Sequence, residues 1–376
     1  MKTLSNFNLK NKIVLLRADI NSDVHKGKVL ASERIKQAGK TINELKKRKA
    51  KIIVIAHQGR PEKYDFISLK QHAKLLNKFT KIKFVSDIIG KRAEKEIKNL
   101  KPKQAILLEN IRFEKDEYKP GKNKIIKKLV PLVNIYINDA FSVCHRKQTS
   151  IVSFPKYLPY CAGPVLEKEL TAIKKIKLKP CLYILGGAKP EDNLKLLGKN
   201  KVLVCGLFGQ LCLIAKGYNL GAQNKYLKKE AGLNNNLKKK LKTKLKKVET
   251  PVDFAVKQKG RRKELLLEQF PSKYEIFDIG PETIKKYINE IKKAKAIYMK
   301  GPAGYCADKK FCNGTFKILK AIAKNKNFSL IGGGHLSNAI DSSKIPKTKF
   351  SHISLSGGAL LSYIAGEKLP GLEALK

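Results

Sequence analysis

The stretch IIVIAHQGRP, residues 52–61, runs through five apolar residues and then turns polar at once with His57, Gln58, Gly59, Arg60 and Pro61. A short apolar run rich in β-branched residues, closed by Gly and Pro, reads as a strand buried on both faces. Working outward, Ile13–Leu16, Ala105–Leu108 and Val133–Ile137 repeat the pattern, and residues 33–49, 68–79, 91–100 and 122–131 between them read as amphipathic, lysine-rich helices. Such alternation predicts an α/β domain, doubly wound around a parallel sheet. The pattern then starts again. Leu182–Leu185, Val202–Cys205, Ala296–Met299, Ser329–Ile331 and His352–Ser354 are the expected strands of a second Rossmann-like domain. Pro164 suits the first turn of a helix, Glu167 and Glu169 lie early, and Lys174, Lys175 and Lys177 lie late, which agrees with the helix dipole. This segment is expected to be a hinge helix. The expected boundaries are 1–160, 161–178 for the hinge, and 179–359.

Lys and Arg total 80 against 31 Asp and Glu, for a formal charge of +49. Only nine of the cations are arginine, and seven of these precede residue 150. A guanidinium offers planar, bidentate donors to phosphate and carboxylate, which lysine cannot copy. The lysines are spread along the chain and read as solvated helix faces; the densest run, Lys225–Lys247, reads as a solvated helix or loop. No specific nucleic-acid partner is expected, although loose polyanion binding at low salt is. The seven cysteines form no CxxC pair and read as reduced, mostly buried thiols of a cytoplasmic protein. Met1–Lys12 lacks an apolar segment and no run of about 18 apolar residues occurs, so neither a signal peptide nor a membrane helix is expected.

In open α/β sheets, ligands bind beyond the carboxyl ends of the strands. In the first half those positions hold Arg17, Asp19 and Asn21; His57 and Arg60; Glu109 and Arg112; and Asn138, Asp139, His145 and Arg146, with Arg34 opening the first helix. Each residue alone has a plain structural reading: a surface ion pair, or a helix cap for Asp19 and Asp139. Their joint placement at four strand ends points to a phosphorylated hydroxy acid. In the second half the strand ends carry glycines instead: Gly186-Gly187-Ala188-Lys189, Gly206 and Gly209, Gly301-Pro302-Ala303-Gly304, Gly332-Gly333-Gly334, and Gly357-Gly358. Glycine admits backbone N–H groups close to phosphate oxygens, and a following helix adds its positive end. Five such turns favour a nucleotide. Neither a P-loop nor a GxGxxG fingerprint is present. An anion-gripping half and a nucleotide half together suggest phosphoryl transfer between two separately bound substrates.

At this point the chain resembles the phosphoglycerate kinase family nearly end to end. The resemblance is carried by LLRADIN (15–21), HQGRP (57–61), LLENIRF (107–113), NDAFSVCHR (138–146), AGPVLEKEL (162–170), GGAK (186–189), DIGPETI (278–284), GPAG (301–304), IGGG (331–334), HISLSGGA (352–359) and GEKLPGLEAL (366–375). GGAKPED and the lysine excess look archaeal in type. The resemblance implies reversible transfer between ATP and 3-phosphoglycerate, giving 1,3-bisphosphoglycerate and ADP, with Mg²⁺. It also implies a tail, 360–376, that returns to the first domain. It assigns Asp19, Asn21, Arg34, His57, Arg60, Arg112 and Arg146 to 3-phosphoglycerate, with Arg34 catalytic. Lys189, Gly187, Gly206, Gly301, Pro302, Gly332, Gly333 and Gly334 fall on the nucleotide side, and Gly357 and Gly358 face the transferring group. Arg17 is expected to support Asp19 and Asn21.

The chain also departs from the family pattern. Gln58 replaces a usual leucine. Asn193 stands where a second lysine is usual after GGAK, Lys300 replaces an Asn, Ala307 a ribose-contacting glutamate, and His335 a metal-associated aspartate. The metal ligand is therefore left unassigned. Two other readings stand beside an active kinase: a 3-phosphoglycerate-binding homologue that has lost transfer, and a basic polyanion-binding protein. A monomer and a homodimer are both compatible with the sequence.

Overall fold

The computed structural model describes the whole chain except residues 178, 179, 188 and 199, with the side chains of 177 and 335 also outside the description. It divides into two units, Met1–Thr171 with Gly358–Lys376, and Ala172–Gly357. Each is built on a six-stranded sheet with every strand parallel to its neighbours.

The first sheet runs Lys83–Val85, Ala105–Leu108, Lys51–Ile55, Ile13–Arg17, Ile135–Asn138, Tyr160–Ala162. Ile13–Arg17 lies between the second and the fifth strand of this sheet in chain order, so the winding direction reverses there, and open α/β sheets bind ligands at the carboxyl end of such a point. The apolar runs are buried because helices cover both faces. Glu33–Lys47 shows how the sequence achieves this: Ser32 caps it by accepting the Ile35 N–H, and Ile35, Ala38, Ile42 and Leu45 bury one face against Val14, Leu16, Ile52 and Val54. The edge strands Lys83–Val85 and Tyr160–Ala162 extend the sheet beyond the expected four. The C-terminal segment packs on this unit, with the Gly371 N–H donating to the Cys144 carbonyl at 2.9 Å.

The second sheet runs Val248–Glu249, Val202–Val204, Leu182–Leu185, Ala296–Lys300, Phe328–Gly332, His352–Ser354. Numbered within the sheet this is 3-2-1-4-5-6, with the reversal between Leu182–Leu185 and Ala296–Lys300. A separate antiparallel sheet, Arg261–Leu266, Asp253–Gln258, Ile276–Ile279, lies outside the alternating pattern of the sequence. The lysine-rich run forms two helices, Ala222–Glu230 and Asn235–Lys242. Helix Pro164–Lys177 carries the boundary between units, and Asp139 caps it by accepting the Val165 and Leu166 N–H groups at 2.7 and 3.2 Å. The expectation of reduced cysteines holds for the five buried free thiols and fails for Cys306 and Cys312. The turn after Gly304 brings their Cα atoms to 4.4 Å, and they form a disulfide that no CxxC spacing announces.

Candidate active site

In the first unit, the polar strand ends gather around the reversal point. Arg17 ends its strand fully buried. It donates to Ser150 Oγ at 2.8 Å, to the Ala18 carbonyl at 2.6 Å and to His57 Nδ1 at 3.1 Å. Ser150 Oγ in turn donates to the buried carboxylate of Glu117 at 2.7 Å. The expected support of Asp19 and Asn21 by Arg17 is therefore replaced by support of His57, because its fork turns toward the neighbouring strand end.

Arg34 takes the other side. Its Nη1 lies 3.1 Å from Asp19 Oδ2 and donates to the Asn21 carbonyl at 3.3 Å. Ser142 also donates to Asp19, and Asn21 Oδ1 accepts the Gly59 N–H at 2.8 Å. Gly59 has φ +67°, and a Cβ there would sit 2.2 Å from the Asp65 carbonyl oxygen, so only glycine fits this turn. Gln58, fully buried, accepts the Ser22 N–H at 2.9 Å and donates to the Ser22 carbonyl at 3.0 Å, while His72 Nε2 lies 2.9 Å from its Oε1. The amide that replaces leucine thus ties two of the strand-end loops together.

Arg112 is 4% exposed and donates Nη1 to the Gly59 carbonyl, while its Nε and Nη2 are buried without a hydrogen-bond partner. Burial, then Arg146 and Arg17, pushes its pKa down to about 10. Burial and then Arg60 lower that of Arg146. His57 is pushed well below its usual value, first by burial and then by Arg17, Arg112, Arg146 and Arg34. These shifts report one electropositive cluster: each member destabilises the charge of the next, and unmatched buried donors wait inside it. Arg60 lies exposed at the edge of this cluster. Gly358 belongs to this unit, where a Cβ would approach His145 Nε2 at 3.5 Å.

In the second unit the glycines divide into two groups. Gly206 and Gly301 are close-packed backbone, and Gly187 takes a left-handed φ of +78° beside them. A Cβ on Gly301 would lie 2.5 Å from Gly186, and one on Gly206 would lie 2.8 Å from the Pro302 carbonyl oxygen. Hydrogen bonds from Gly187 and Gly206 to the Pro302 and Ala303 carbonyls, both 3.0 Å, join the three loops. Gly333, Gly334 and Gly357 are different: a Cβ on any of them meets nothing within 4 Å. At Gly333 the backbone φ of +105° already favours glycine, whereas at Gly334 and Gly357 neither packing nor conformation demands it, which leaves room for a ligand to approach the backbone. Gly332 ends its strand in register with Lys300 and Ser354. Lys189 is exposed beside these loops. Ala307 is exposed, and Asp308 next to it caps a short turn by accepting the Lys310 N–H at 3.1 Å. The side chain of His335 lies outside the described ones. Among the described residues, no three His, Cys, Asp or Glu side chains assemble to hold a metal.

The family model for phosphoglycerate kinase matches residues 4–367. The chain belongs to the phosphoglycerate kinase family. It is 42% identical to the phosphoglycerate kinase of Sulfolobus acidocaldarius, with 99% of this chain and 95% of that one aligned. It is 37% identical to that of Methanothermus fervidus, over 100% and 96%. The crystal structure of phosphoglycerate kinase from Pyrococcus horikoshii OT3 superposes with a TM-score of 0.91 at 37% identity, covering 100% of this chain and 98% of that one. The family is one of kinases, phosphotransferases that use ATP or ADP. Sequence reasoning missed Glu117, Ser142 and Ser150, which buttress Arg17 and Asp19 from short helical turns that carry no recognisable signal.

Proposed function

We propose that the chain transfers a phosphoryl group reversibly between MgATP and 3-phosphoglycerate, and that its two units divide the substrates as the sequence suggests. The observation that carries this reading is Arg112, buried in a cluster of guanidiniums with two donors unmatched. A buried cation left this way is costly unless an anion completes it. Arg60, Arg112 and Arg146, with His57, hold the 3-phosphate of the substrate. Asp19 and Asn21 orient its hydroxy-acid end. The substrate carboxylate is already ionised, so no general base is required: its oxygen attacks the γ-phosphorus as the bond to the ADP oxygen breaks. Arg34, held by Asp19 until then, neutralises charge on the transferring group. Gly357 and Gly358 offer backbone N–H groups to the same phosphoryl. The nucleotide phosphates lie against Gly187, Gly206, Gly301-Pro302, Gly332, Gly333, Gly334 and Lys189, with helices Gly206–Ala215 and Gly334–Ser343 presenting their positive ends.

Mg²⁺ would be held with the nucleotide phosphates and would neutralise their charge. Phosphate oxygens and water would supply most of the ligands to such an ion. No helix among the described residues is long and apolar enough to cross a membrane. A cytoplasmic enzyme acting on free metabolites, as monomer or homodimer, is the setting we infer. A coupled assay with 3-phosphoglycerate, Mg²⁺ and ATP or GTP tests the reading. Turnover that disappears when 3-phosphoglycerate is omitted supports it; no turnover with either nucleotide rejects it in favour of a binding-only homologue.

A further inference from the structure

Lys300 closes the strand Ala296–Lys300, beside the point where the second sheet reverses its winding. It pairs in register with Leu185 on one side and Gly332 on the other, so its side chain starts where two of the glycine loops start. Its carbonyl accepts the Gly186 N–H at 2.7 Å. The side chain is only 16% exposed. Nζ donates to Asn193 Oδ1 at 3.0 Å and reaches Asp192 Oδ2 at 3.4 Å. Asn193 is fully buried, and its own Nδ2 donates to the Gly186 carbonyl at 2.9 Å, so the amide is fixed at both ends.

An ammonium that only tied the strand to helix Pro190–Leu194 would gain most from a short contact to a buried carboxylate. Here the carboxylate is long at 3.4 Å and itself 37% exposed. A lysine carries three donors, and among the described residues two acceptors meet these. Burial lowers its pKa, Asp192 offsets part of the fall, and Lys189 adds to it. Lys189 thus lies close enough for its charge to act on Lys300, and the one carboxylate that meets Lys300 holds it loosely.

We propose that Lys300 is a phosphate-contacting lysine of the nucleotide subsite, positioned by Asn193 and neutralised by Asp192 until a nucleotide displaces that contact. The proposal rests on the reading of the second unit as the nucleotide half. Lysine acts here as a point charge delivered from the strand end, and Asn193 sets where that charge sits.

The test uses the full chain with Lys300→Met and the exchange Asn193→Lys with Lys300→Asn, which returns one lysine and one amide to the pair. ADP and ATP binding are measured by calorimetry, 3-phosphoglycerate binding separately, and thermal midpoints alongside. Lys300→Met is expected to weaken ADP and ATP binding at least tenfold. Its 3-phosphoglycerate affinity stays within twofold and its midpoint within a few degrees. The exchange recovers most of the nucleotide affinity. Unchanged nucleotide affinity in Lys300→Met overturns the proposal. So does a parallel loss of both ligands with a lowered midpoint, which marks a purely structural lysine. Direct ADP binding separates the role of Lys300 from the coupled assay: a wild-type chain that binds ADP through Lys300 yet shows no turnover rejects the kinase reading alone.

Discussion

Arg17 Nη2 lies 3.1 Å from His57 Nδ1, and this contact decides which imidazole nitrogen carries the proton. A guanidinium has donors only, so Nδ1 is the acceptor and the proton sits on Nε2. Arg17→Lys cannot serve Ser150, Ala18 and His57 together. We expect a loss of about 1–3 kcal/mol of stability from the unmet buried partners. The KM for 3-phosphoglycerate should rise roughly tenfold, with that for ATP unchanged, as His57 loses its orientation. Denaturant titration and steady-state kinetics check both; equal KM values in the variant and wild type refute the orienting role.

Arg34 is expected to act on the transferring group. Arg34→Ala should lower kcat by on the order of 10³, while the helix it begins keeps its Ser32 cap and its buried face. The thermal midpoint should move little. Arg34→Lys should recover only part of the rate, because a point charge lacks the fork. Wild-type turnover in Arg34→Ala would remove it from the mechanism.

Arg112 sets ligand binding against stability of the free chain. Arg112→Met removes a buried cation with two unmatched donors, and we expect the ligand-free protein to become more stable by about 1–3 kcal/mol. The same variant should lose stabilisation by 3-phosphoglycerate, which in the wild type reaches about 2.7 kcal/mol at a hundredfold excess over Kd. Thermal shift with and without 3-phosphoglycerate measures both. A variant still stabilised by the ligand to the wild-type degree contradicts the assignment.

His72 gives a pH signature. Its Nε2 faces Gln58 Oε1, its Nδ1 is buried without a partner, and burial pushes its pKa down to about 4. The unfolded chain takes up this proton near pH 6.5, the folded chain only near 4, so the unfolded state binds more protons between those values and stability falls as pH falls through that window. At 1.36 kcal/mol per unit the contribution is about 3 kcal/mol. His72→Gln should flatten the fall in stability between pH 6.5 and 4 relative to wild type. Parallel stability curves for the two proteins would show that His72 does not contribute.

The central strands were legible because burial on both faces leaves nothing but apolar residues in them. Ala105–Leu108 and Leu182–Leu185 fall where the sequence places them. Lys83–Val85 and Tyr160–Ala162 were missed, being three-residue edges with one neighbour each. The run RRKELL, 261–266, has four charged residues in six and no strand pattern, and it forms a strand by pairing with Asp253–Gln258. The arginines at strand ends announced an anion site, since their scarcity sets them apart. Glu117 did not, because EKDEYK, 114–119, has the composition of an exposed loop. Only tertiary packing buries that carboxylate beneath Ser150.

Arg261–Leu266 forms one edge of its sheet. Backbone donors and acceptors along such an edge invite a strand from another molecule. Here Arg261, Arg262, Lys263 and Glu264 stand in succession along it, and each copy of the chain brings a charge of +49. A second copy seeking to extend the sheet meets like charge before it meets a hydrogen bond. Repulsion set by the charge of the whole chain thus opposes edge-to-edge pairing between copies, and it weakens as salt screens it.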